Sequence, residues 1–143
     1  MTVAPAALSV RDLTIRFDSR RGGVTARLPL LGSAPGRPLW EPPGEHLYGS
    51  EAALLRRLPG ADRWLWRDGG GGLSEAMVRF AARHEMARDV EDVLARRCRL
   101  LFLDAAEAAR QADAVAALMA EELGHAVDAA PFKALAAQYL RLP

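Results

Sequence analysis

Ala82-Arg83-His84-Glu85-Met86-Ala87-Arg88-Asp89-Val90-Glu91-Asp92-Val93-Leu94-Ala95-Arg96-Arg97 decides how this chain is read. The stretch is dense in charge, but its charges are spaced as pairs. Asp92 and Arg96 sit one helical turn apart with the acid on the N-terminal side, the favourable order. Glu85 falls beside the face of His84, a face that must pack, and an unpaired carboxylate there is strongly disfavoured. Arg96 or Arg97, from the following helix, can supply the counter-charge. The expectation is an ion-pair network of Glu85, Asp92, Arg96 and Arg97 that braces two helices. Were it buried, Glu85→Ala would cost about 3–5 kcal/mol. The competing reading is an anion site of Arg83, Arg88, Arg96, Arg97 and Arg99, which the interleaved acids weaken.

The helical pattern extends to both sides. Upstream, Ser74 is a cap, Glu75 opens a turn, and Met77, Phe80, Ala81 and His84 recur on one face. Downstream, Asp89 caps a helix carrying Val90, Val93 and Leu94, expected to run through Cys98 into Leu100-Leu101-Phe102-Leu103. Asp104-Ala105-Ala106-Glu107 resembles a capping box and opens a long helix with Ala108, Ala112, Val115, Leu118 and Met119 inward. Gly124 suits a left-handed C-terminal cap. Asp128 caps a last helix, with Pro131 in its first turn and a stripe of Phe132, Leu135, Ala136, Tyr139 and Leu140.

Before Ser74 the signals weaken. Ser50 is a candidate cap for a short helix with Leu54, Leu55 and Leu58, stopped by Pro59-Gly60. Trp64 and Trp66 alternate with Arg63, Leu65 and Arg67, which suggests an extended segment, and Gly69 to Gly72 read as a flexible hinge. Residues 29–45 are a linker by composition, holding Pro29, Pro35, Pro38, Pro42 and Pro43, with Trp40 as their large apolar group. Residues 1–28 are weakly β: Leu8, Val10, Leu13, Ile15 and Phe17 precede a turn at Arg20-Arg21-Gly22-Gly23. The fold expected is all-α, a small bundle of four to five helices over about 50–143. Domain organisation follows: 1–45 as a poorly ordered or marginally hairpinned segment and linker, 46–143 as the helical domain.

Composition excludes several function classes. The chain has 143 residues, 50% hydrophobic, and a net charge of +1, so no global field draws in nucleic acid. A nucleic-acid surface would also want aromatics on its basic face, and the tryptophans lie outside the arginine-rich helix. The single cysteine, Cys98, suggests a reducing compartment. No apolar run is long enough to span a membrane, and no charged-then-apolar start marks a secretory signal. The cytoplasm is the expected setting. Metal binding is not expected, because His46, His84 and His125 fall on separate elements and His84-Glu85 lacks a second histidine one turn on. Cys98 lies between arginines that could activate it, but a small residue there reads better as packing.

Two resemblances remain. Leu8-Ser9-Val10-Arg11-Asp12-Leu13-Thr14-Ile15-Arg16-Phe17 resembles the opening strand of an ABC-transporter ATPase, but no Gly-Lys-Ser/Thr phosphate loop follows, and Lys133 is the sole lysine. The second is broader. Glu75 to Arg88, then Val90 to Asp104, with Arg83-His84-Glu85 followed by Asp92-Val93-Leu94-Ala95-Arg96-Arg97, resembles the C-terminal helical domain of FAD-dependent glycerol-3-phosphate dehydrogenase and the related glycerol-phosphate oxidases. Tyr48-Gly49-Ser50, Ala117 to Gly124 and the last helix match too, so the resemblance covers about 46–143. Asp89 and Cys98 stand where the family usually has threonine; aspartate caps equally well and cysteine is nearly isosteric.

The resemblance implies a whole enzyme that oxidises sn-glycerol 3-phosphate to dihydroxyacetone phosphate and passes electrons through FAD to quinone. Its FAD-binding Gly-x-Gly-x-x-Gly and its catalytic residues belong to a part that this sequence lacks. No catalytic, cofactor-binding or metal residue is therefore assigned, and no cofactor is expected in this chain. The implied role is structural: packing on a flavoprotein domain, self-association, or peripheral contact with the inner membrane. The alternatives are a free-standing helical interaction module and, behind it, a nucleic-acid binder.

Overall fold

The computed structural model describes residues 13–19, 22–28, 44–69 and 71–141. In chain order the elements are β1 (Leu13–Ser19), β2 (Gly22–Leu28), a 3-10 segment (Glu45–Glu51), α1 (Ala52–Leu55), β3 (Trp64–Asp68), β4 (Gly71–Ser74), α2 (Glu75–His84), a π-helix (Asp92–Arg97), α3 (Leu100–Leu103), α4 (Ala105–Leu123) and α5 (Ala130–Tyr139). The class is all-α with two small antiparallel hairpins. β1 pairs with β2 in a register that sets Leu13 opposite Leu28 and Ser19 opposite Gly22. The linker reading of 29–45, Trp40 included, lies outside the described residues up to residue 43.

α4 is the axis of the helical part. Its alanines favour helix at little entropic cost. Asp104 accepts a hydrogen bond from the Glu107 amide at 2.8 Å, and Gly124 ends the helix at φ 72°. Ala108, Ala112, Val115, Leu118 and Met119 are buried, as their spacing predicts, and α2, α3 and α5 pack around them. From α2 come Met77, Val78 and Phe80; Leu100 and Leu101 come from α3, and Phe132 and Ala136 from α5. α2 begins at Ser74, whose buried hydroxyl accepts from the Met77 amide at 3.4 Å. It ends in a turn where the Glu85 and Ala87 amides both donate to the Ala81 carbonyl, with Met86 between them at φ 59°. That is the left-handed C-terminal cap usually given to glycine.

Four expectations are corrected. The helix from Val90 does not run into α3. The Cys98 amide donates to the Val93 carbonyl at 3.0 Å, five residues back, which widens the register into a π-helix, and Arg99 then turns left-handed at φ 59°. Gly69 to Gly72 are no hinge: Gly69 turns at φ 54°, and Gly71 and Gly72 lie in β4, paired with β3. At Gly72 (φ 143°) a Cβ would stand 2.3 Å from the Trp66 carbonyl oxygen, so close backbone approach is what demands glycine there. The short helix expected from Ser50 starts later. A 3-10 segment kinked at Gly49 precedes α1, which opens at Ala52. Finally, His84 is exposed, its ring leaning on Phe80 at 4.8 Å rather than filling the core, because α2 is in its last turn there.

The β3–β4 hairpin carries an irregularity between Trp64 and Trp66, and Trp66 sits opposite Leu73. One extra residue flips the side-chain alternation. Arg67 thus lands over the Trp64 ring, 4.7 Å from its centroid.

Candidate functional site

Glu85, Asp92, Arg96 and Arg97 come together where α2 hands over to the π-helix. Arg97 is the hub. Its Nε donates to Glu85 Oε2 at 3.0 Å, its Nη2 to the Glu85 carbonyl, and its Nη1 to the Asp92 carbonyl at 2.9 Å. Asp92 Oδ1 lies 3.8 Å from the same guanidinium, and Asp92 also pairs with Arg96. Arg96 turns to Glu91 and Asp92 on its own helix, so Arg97 carries the link to Glu85. Asp92 and Asp89 hold the start of that helix reciprocally: Asp92 Oδ2 accepts from the Arg88 amide at 2.8 Å, and Asp89 Oδ1 from the Asp92 amide at 2.9 Å. Partial burial raises the Asp92 pKa. The Arg88 amide, the Arg96 guanidinium and the Asp89 amide outweigh it and hold the carboxyl below its ordinary range.

The five-arginine anion site is not assembled. Arg83 is bound to Glu122, Arg96 to Glu91 and Asp92, and Arg97 to Glu85. The Arg83 pair belongs to a second network that local spacing does not reveal. Arg79 Nη1 meets Glu122 Oε1 at 2.7 Å and its Nη2 meets Glu121 Oε2 at 2.7 Å; Arg83 Nη2 adds a contact to Glu122 at 2.9 Å. The Glu122 side chain is 7% exposed. Hydrogen bonding from Arg83 holds its carboxyl below the usual range, against burial and with help from Arg79. The available signal is Arg79 and Arg83 on one face of α2, but their acids lie 39 to 43 residues on, at the end of α4.

Around a cavity of about 20 Å³ the structure gathers Tyr48, Leu73, Met77, Val93, Arg97 and Cys98. Tyr48 packs edge-on against Phe80 at 5.1 Å. Burial, with the Glu85 charge adding to it, pushes its phenol well above the ordinary range. Burial likewise raises the Cys98 thiol to about 11, and its sulfur points at the Leu94 carbonyl at 3.7 Å. Both groups stay protonated at neutral pH, so neither serves as a base or nucleophile. The flanking arginines do not activate Cys98.

A wider groove of about 450 Å³ runs between α4 and α5, floored by Ala116, Ala117 and Ala120 and rimmed by Asp113, Asp128 and Lys133. Lys133 is tied to Asp113 at 2.5 Å. This lining does not suit a dinucleotide cofactor: its carboxylates repel a pyrophosphate, and no glycine-rich strand-to-helix turn opens onto it. Gly71 and Gly72 before α2 are committed to the hairpin, and the Ser74 hydroxyl already takes a first-turn amide. Among the described residues no group of three or more His, Cys, Asp or Glu is placed to hold a metal ion. Among them, too, no helix is long and apolar enough to cross a membrane.

Comparison with known proteins places these features. A family model described as the C-terminal domain of alpha-glycerophosphate oxidase matches residues 24–130. The match begins inside β2, upstream of the boundary that composition suggests at residue 45, and stops at the start of α5. A mitochondrial glycerol-3-phosphate dehydrogenase of Arabidopsis thaliana is 39% identical over 80 residues, which are 54% of this chain and 12% of that protein. The chain therefore corresponds to about an eighth of that relative. No solved structure gives a significant match.

Proposed function

The chain belongs to the family of the C-terminal domain of alpha-glycerophosphate oxidase, and from that premise we propose that it works as a structural module docking on a flavoprotein body. In this reading the body binds FAD and oxidises sn-glycerol 3-phosphate to dihydroxyacetone phosphate. The helical module contributes a rigid surface and no reacting group. The family match carries the proposal. The state of the polar side chains supports it: Glu85, Asp92, Arg96, Arg97, Arg79, Arg83 and Glu122 are all engaged in ion pairs that join or cap helices. Two groups lining the small cavity, Tyr48 and Cys98, are held protonated by burial.

The test mixes the purified chain with FAD and glycerol 3-phosphate and follows flavin absorbance and reduction of an electron-accepting dye. The expected result is no retained flavin and no dye reduction. Sustained turnover by the chain alone would overturn the proposal.

A further inference from the structure

α3 is a single turn of four apolar residues, Leu100 to Leu103, that faces two ways. Leu100 and Leu101 are buried against α4, whereas Phe102 is 55% and Leu103 59% exposed. The Phe102 ring meets Tyr139 of α5 edge-on at 5.7 Å, and Tyr139 and Leu140 are themselves about half exposed. The Phe102–Tyr139 pair thus joins α3 to α5 as an exposed apolar knob, which Leu103 and Leu140 extend in sequence. Adjacent exposed groups of this size on a soluble domain mark interaction surfaces. Arg99 and Arg141 flank the knob in sequence, are exposed, and make no ion pair within the described residues.

We infer that this knob is the face by which the chain seats on the flavoprotein body, in a pocket with an acidic rim. The inference rests on the docking role proposed above and names its surface. Three observations choose the occupant. The matched stretch is 12% of the dehydrogenase relative, which leaves a far larger body for the equivalent domain to seat on, and α3 lies within the family-matched residues while Tyr139 and Leu140 follow them. The two unpaired cations call for carboxylates around the pocket. A second copy across a two-fold axis would instead bring the same two cations toward their own copies. A lipid surface fits less well, because the exposed Asp104 carboxylate follows Leu103 directly and only two cations would offset it. An edge-on aromatic pair held by two packed helices is preorganised, which suits a shaped protein pocket.

The experiment co-expresses the tagged full chain with the Arabidopsis relative lacking its own matching stretch, and reads the flavin absorbance that co-purifies. Wild type is expected to bring flavin with it. Phe102→Asp/Tyr139→Asp is expected to bring at least tenfold less, and Leu54→Asp, an exposed leucine on α1, the same as wild type. Circular dichroism checks the fold of each variant. If the double variant unfolds, Leu103→Asp, which removes no ring contact, takes its place with the same expected loss. Flavin recovery by the folded knob variants equal to wild type would overturn this face while leaving the docking role standing. No flavin with wild type would overturn the docking role itself. Reversal of Arg99 and Arg141 to Glu should weaken recovery several-fold. Two other results would reassign the knob and overturn the inference: a wild-type dimer in light scattering that the double variant abolishes, or co-sedimentation with phosphatidylglycerol vesicles that it abolishes.

Discussion

Arg97 closes the end of α2 from twelve residues away, holding the Glu85 carboxylate at 3.0 Å while another of its nitrogens takes the Glu85 carbonyl. One guanidinium thereby neutralises a side chain and satisfies main-chain oxygens at both helix ends it touches, because it also binds the Asp92 carbonyl.

The two partners should not be equivalent in mutation. The Glu85 side chain is 34% exposed, so water replaces much of what Arg97 supplies. Glu85→Ala is expected to cost about 1 kcal/mol, well under the figure for a buried pair. Arg97→Ala should cost about 2 kcal/mol, because two carbonyls lose their donor with it. Urea unfolding of both variants checks the order, and equal losses would contradict it.

Glu122 sets an acid limit on stability. Its folded pKa is depressed, so its contribution is fully present above the unfolded value of about 4.3 and is lost as pH falls through the folded value. Asp92 acts in the same direction. Melting temperature should decline below about pH 4, and Glu122→Gln should melt lower at neutral pH and show a shallower acid decline. A variant with the wild-type acid slope would rule out this assignment.

The hairpin glycines should separate sharply. Gly72→Ala forces a Cβ onto the Trp66 carbonyl and is expected to cost about 3 kcal/mol or more. Gly69 has a positive φ as well, but beyond its chain neighbours no heavy atom of the described residues lies within 4 Å of the Cβ position, so Gly69→Ala should cost about 1 kcal/mol. Thermal melts of the two variants measure the difference, and a Gly72→Ala protein as stable as Gly69→Ala would refute the close approach.

Cys98 should behave as a shielded thiol. It is 7% exposed, and its pKa of about 11 leaves little thiolate at pH 8. Alkylation by iodoacetamide should be slow in the native protein and accelerate on addition of urea. Rapid native labelling would mean that the flanking arginines activate it after all.

Much of the helical part is written locally. Asp104, Gly124 and the alanine-valine-methionine stripe between them define α4 without help from tertiary structure, and Ser74 marks the start of α2. Features needing distant partners were less legible. Arg79 and Arg83 find Glu121 and Glu122 only once α2 lies against α4. The run Gly69 to Gly72 reads as flexible until its partner strand is known, since what requires glycine is the Trp66 carbonyl. The break at Arg99 is not legible in the sequence because apolar spacing continues through it; a change in hydrogen-bond register leaves no mark on composition. Arg97 as the partner of Glu85 was one of two choices, and winding of the π-helix settles which arginine points back.

The π-helix has a further consequence for the history of the sequence. A helix closed by bonds reaching five residues back holds more residues per turn than an α-helix of the same length. The stretch Asp92–Arg97 therefore stores slack of about one residue, and Arg99 at φ 59° absorbs the resulting change in direction before α3. A one-residue deletion here could be taken up by rewinding to ordinary helix, whereas a deletion within α4 would rotate every inward side chain after it off its face. Relatives that differ in length by a single residue should carry that difference between Val90 and Arg99, a pattern that an alignment of the family can check.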